Sequence, residues 1–110
     1  MHSIHEKKMY LVEIFLPQRD NEGREFRSAL FSKVREELLE RFGGMTAFTR
    51  VPVEGLWNTH QAGRSHDAIV IYEVMLQQLD RPWWESYKAE LERRFAQEEM
   101  VIRVSRVDVI

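Results

Sequence analysis

Four ionisable side chains stand inside runs that are otherwise apolar. Glu13 lies within Met9-Tyr10-Leu11-Val12-Glu13-Ile14-Phe15-Leu16 and Glu73 within Ala68-Ile69-Val70-Ile71-Tyr72-Glu73-Val74-Met75; Arg50 and Arg103 occupy two further alternating segments. Charges in such places are costly to bury unless they meet opposite charges. Two carboxylates and two guanidiniums therefore have two possible uses. One is the polar centre of a ligand pocket, with a carboxylate as base and an arginine holding an anionic or enolate-like substrate. The other is a set of interfacial ion pairs that fixes the register of a dimer.

A second group is concentrated in the connection Glu54–Ser65, which carries Trp57, Asn58, His60 and Arg64, with His66 just beyond. It is longer than most hairpin connections, a length that accompanies binding loops and lids. Trp57 suits an anchor, leaving His60 and Arg64 to meet an anionic ligand near neutral pH. The same residues also suit a plain connector, with Trp57 packed over the end of the sheet. His60 with His66, and His2 with His5, lack the H-E-x-x-H spacing of a helical metal site, so no metal is expected. Trp83, Trp84 and Tyr87 could form an aromatic ligand cage, although their helical spacing also suits core.

Other chemistries are excluded by what the sequence lacks. There is no cysteine, hence no disulfide, thiolate metal site or cysteine nucleophile, and a cytoplasmic setting is expected. No G-x-S-x-G, G-x-G-x-x-G or G-x-x-x-x-G-K-[ST] pattern occurs, so a serine elbow, dinucleotide binding and nucleotide hydrolysis drop out and no cofactor is expected. A net charge of -2 with interleaved signs provides no field to collect phosphates, so nucleic acid is not expected as a partner. The apolar runs are too short to cross a bilayer, and the first residues carry no apolar signal core, so no membrane association is expected.

The elements that position these residues follow from periodicity. Met9–Leu16 is rich in β-branched and aromatic residues and ends at Pro17, which predicts a strand. Phe26, Leu30, Val34 and Leu38 recur every fourth position across Glu25–Phe42, an amphipathic helix stopped by Gly43 and Gly44. Arg27, Lys33, Glu36, Glu37 and Glu40 fill its other faces. Thr46–Val53 alternates as a second strand, placed at an edge because Pro52 lacks a ladder N–H. Ala68–Met75 is the third strand. Asp80 caps a second helix with Pro82 in its first turn and Trp84, Tyr87, Leu91 and Phe95 as its buried stripe. Met100–Ile110 alternates as the fourth strand.

The order β-α-β-β-α-β over 110 residues predicts one α+β domain, with residues 1–7 as a flexible tail. Its expected form is ferredoxin-like: a four-stranded antiparallel sheet of order 4-1-3-2 with both helices on one face. Strand alternation assigns Tyr10, Val12, Ile14, Leu16, Ala68, Val70, Tyr72 and Val74 to the helix side. Met9, Leu11, Glu13, Phe15, Ile69, Ile71, Glu73 and Met75 then fall on the open side, with Phe48 and Arg50; on the fourth strand Arg103 and Arg106 lie on opposite parities, and Arg103 is the one assigned to the open side. So large an apolar face calls for a cover. A second copy is the simplest, and the expected partner is a homodimer mate docked through that face.

This architecture resembles the dimeric α/β-barrel group of ferredoxin-like proteins, and is similar to small bacterial proteins of unassigned function. The resemblance implies a homodimer whose two sheets enclose an apolar pocket, for binding a small molecule or for assembly alone. It leaves open a cofactor-independent isomerase or monooxygenase acting on a small aromatic or enolisable substrate, and equally an interaction module whose open sheet docks another protein. It carries over no catalytic residue.

Overall fold

A computed structural model describes residues 7–50 and 69–110, apart from the side chains of 47–50. Its elements are β1 (Lys7–Pro17), α1 (Ser28–Phe42), β2 (Thr46–Arg50), β3 (Ile69–Leu76), α2 (Arg81–Arg94) and β4 (Val101–Val109). Lys7, expected in the tail, opens β1. No helix among the described residues is long and apolar enough to cross a membrane.

β1 is central and antiparallel to β3 on one side and β4 on the other. The expected four-stranded sheet of order 4-1-3-2 is corrected at its β2 edge, where the described ladder is short beside those of β1 with β3 and β4. The long-paired sheet is three-stranded, β3-β1-β4, which among these three strands in chain order reads 2-1-3. β2 adds a five-residue rung on the free edge of β3, giving β2-β3-β1-β4. The second strand, expected to reach Val53, is described only to Arg50, and Pro52 lies outside the described residues.

Register determines which residues face the helices. Val12 pairs with Val74 and Val104, and Ile14 with Tyr72 and Ile102. Side chains alternate along each strand, so this set lies on one face, and with Leu16 it meets Val34 and Leu38 of α1 and Trp84, Tyr87 and Leu91 of α2 in a single core. Tyr10 has the same parity but lies outside that core, at the end of the sheet, where the Arg106 guanidinium stands 4.9 Å over its ring.

Both helix boundaries have local causes. α1 begins at Ser28 rather than Glu25 because the preceding residues are engaged elsewhere: the Phe26 N–H donates to the Gln18 carbonyl at 3.0 Å, and Arg19 bridges to Glu25. Asp20 folds that loop by accepting the N–H groups of Glu22 and Arg24 at 2.8 and 2.9 Å, an Asx-type turn. At the other end Gly43 turns into the left-handed region at φ 81° and donates its N–H to the Leu39 carbonyl at 2.8 Å. A Cβ there meets no neighbour, so Gly43→Ala isolates the conformational cost, about 1 kcal/mol, read as a lower urea midpoint with unchanged slope. α2 starts at Asp80, whose carboxylate accepts the Trp83 N–H at 3.2 Å. It ends at Arg94, so Phe95 closes the apolar stripe from the cap position.

Candidate functional site

On the open side of the sheet, one register row crosses all four strands: Thr46 on β2, Glu73 on β3, Glu13 on β1 and Arg103 on β4. Like charges directly opposite on neighbouring strands repel, so the Glu13–Glu73 pairing needs a cation close by. Arg103 provides one. Its Nε donates to Glu13 Oε1 at 3.0 Å, while its guanidinium lies 5.0 Å over the Phe15 ring. The pair is lopsided: the Glu13 side chain is 11% exposed and that of Arg103 58%. The carboxylate is thus sunk into the face, while more than half of the Arg103 side chain stays exposed.

The rows on either side are apolar. Phe15 pairs with Ile71 and Val101, and Leu11 with Met75 and Ser105. Leu11 and Phe15 are half-buried, whereas Met75 is 48% and Val101 53% exposed. Ile71, expected to be exposed here, is instead fully buried within the single chain, so its replacement by a charge tests folding and not association. At one end of this face a groove of about 320 Å³ opens between Leu11, Met45, Thr46, Glu73 and Met75, with Gly43 and Gly44 completing its wall.

Of the predicted pocket residues, Glu13, Glu73 and Arg103 therefore share one row. Arg50 pairs through its backbone with Ile69, four positions along β2 from Thr46, and its side chain is outside the description. The loop residues Trp57, His60, Arg64 and His66 also lie outside the described residues.

A second polar cluster was not legible in the sequence. Glu37, assigned above to a solvated face of α1, reaches across to α2. Its Oε1 accepts from the Tyr87 hydroxyl and from Arg94 Nη1, each at 2.8 Å, and its Oε2 from Arg94 Nη2 at 2.7 Å. The bidentate guanidinium and the phenol hold the Glu37 carboxyl below its ordinary range despite partial burial. Burial, reinforced by Glu37, pushes the Tyr87 hydroxyl above its own. Arg94 also donates to Glu90 at 2.8 Å. Each charge here is saturated by a partner inside the chain, as suits a clamp between helices rather than a reaction centre. No helical spacing signals it, because its members come from different helices. No family model and no curated protein matches the chain.

Proposed function

We propose that the chain is a cytoplasmic homodimer of the dimeric α/β-barrel type, whose open sheet faces pack together around a small-molecule pocket floored by Glu73, Glu13 and Arg103. One observation carries the proposal: an apolar face with well-exposed Met75 and Val101 contains a buried carboxylate whose arginine partner is mostly exposed. The row itself is suited to a second copy of the same chain. Its charges run acid, acid, base, and a two-fold axis parallel to the strands reverses that order, bringing the Arg103 end of one copy over the carboxylate end of the other. Such self-complementarity is what an isologous interface requires. The groove beside Glu73 has the volume of a small-ligand site, the usual range being about 300 to 1,000 Å³. The absence of cysteine suits a reducing compartment.

Light scattering at micromolar concentration tests this, with a dimer expected. Met75→Glu and Val101→Glu alter exposed positions and are expected to give folded monomers with an unchanged far-UV spectrum. A monomeric parent chain, or a dimer indifferent to both substitutions, would overturn the proposal.

A further inference from the structure

The cleft where the end of α1, the end of β3 and the first turn of α2 converge has a chemistry of its own. Its volume is about 400 Å³, and Arg41, Phe42, Asp80, Trp83 and Trp84 contribute to its walls. Phe42 and Trp83 meet nearly at right angles, 87°, with ring centroids 5.4 Å apart. Trp84 stacks on Phe42 and stands at 89° to Trp83, and Tyr87 backs Trp83 from behind. The result is a rigid aromatic corner.

A cation already occupies this corner. The Arg41 guanidinium carbon lies 4.2 Å over the Trp83 ring and 5.5 Å from the Phe42 centroid. The Asp80 carboxylate stands 3.8 Å from Arg41 Nη2. Two perpendicular π-faces with one carboxylate form the arrangement that attracts an organic cation. Arg41 is held there only loosely: its side chain is 43% exposed, that of Asp80 60%, and their separation is long for an ion pair. Exposed pairs of this kind contribute little. We propose that this cleft is a binding site for a small organic cation of the alkylammonium or guanidinium class, and that Arg41 is its built-in competitor, leaving the corner when ligand enters. The site stands on the helix side of the fold and does not depend on the dimer.

The test follows the Trp83 indole N–H by NMR, assigned by its loss in Trp83→Phe, during titration with choline and with its neutral isostere 3,3-dimethylbutan-1-ol. Choline is expected to shift the resonance saturably and the alcohol is not. Arg41→Ala is expected to bind choline roughly tenfold more tightly, because the competing occupant is gone. Trp83→Leu is expected to abolish the response. The proposal fails if Arg41→Ala gains no affinity, if the alcohol binds as well as choline, or if acetate binds the parent chain and loses its site in Arg41→Ala, which would make the cleft an anion site. Should Trp83→Leu not fold, the Arg41→Ala comparison decides alone, since that side chain lies at the surface.

Discussion

Phe95→Ala is expected to lower stability by about 3 to 5 kcal/mol, a large part of the roughly 5 to 15 kcal/mol that holds a domain together. Phe95 is fully buried just past the end of α2, where its ring meets Phe26 at 5.1 Å and Phe31 at 5.5 Å, both edge-on. Truncation empties a space bounded by two other rings. These rings come from the segment entering α1 and from the first turns of that helix, so the loss unfastens α1 as well as α2. Thermal unfolding followed at 222 nm should show a midpoint lower by on the order of 15 °C. Phe95→Leu, which retains most of the volume, should cost about 1.5 kcal/mol or less. Equal effects from the two substitutions would show that the edge-on ring contacts, and not the filled volume, carry the stability of this site.

Glu37→Gln is expected to remove about 1 to 2 kcal/mol at neutral pH, because among the described residues it leaves Arg94, 11% exposed, with only Glu90 as a charged partner. The same substitution should flatten the acid limb of the stability profile. The Arg94 hydrogen bonds hold the folded Glu37 carboxyl below its ordinary value of 4.5, with Tyr87 and Lys33 acting in the same direction. The folded chain therefore binds that proton more weakly than the unfolded chain does. The contribution is complete above the ordinary value and is lost as pH falls through the lowered one. Tyr87 works in the opposite sense: its hydroxyl is raised above 10.0 by burial first and Glu37 second, so its contribution is complete below pH 10 and declines above it. Urea midpoints at pH 7 and pH 3 check the acid limb. The gap between Glu37→Gln and the parent chain should narrow at pH 3, and an unchanged gap would show that Glu37 ionisation is not coupled to folding.

Strand parity was the most legible part of the fold. A period of two admits only two assignments per strand, and a run such as Val12-Glu13-Ile14-Phe15-Leu16 marks its core side by uniform hydrophobicity. The same parity brought Glu13 and Glu73 to one face, and the pairing of Arg103 with Glu13 distinguishes it from Arg106, whose parity places it over Tyr10 instead. Boundaries were less legible. The Phe26 spacing suggests helix, but a backbone bond to Gln18 draws that residue into the preceding loop, and such a bond leaves no trace in periodicity. The burial of Ile71 depends on tertiary surroundings that parity ignores. The Glu37–Arg94–Tyr87 clamp joins residues 50 and 57 positions apart, and on either helix alone a charged residue of this kind reads as solvated surface. Trp83, Trp84 and Tyr87 were visible as an aromatic group, but the cation among them comes from the other helix.

The central position of β1 has a kinetic consequence. Lys8 on β1 and Asp108 on β4 are bridged at 2.8 Å across 100 positions of chain, and the partner of β1 on its other side lies beyond both α1 and β2. The strand at the middle of the sheet therefore has no local mate, and each of its ladders must close a long loop before any bond rewards the closure. The helix-rich middle of the chain can organise from near-neighbour contacts on fast timescales, while β1 waits for segments far downstream. Refolding should accordingly be governed by the docking of β4 onto β1 and fall toward the slower part of the range for mixed α/β domains, since rates drop as contacting residues become more distant in sequence.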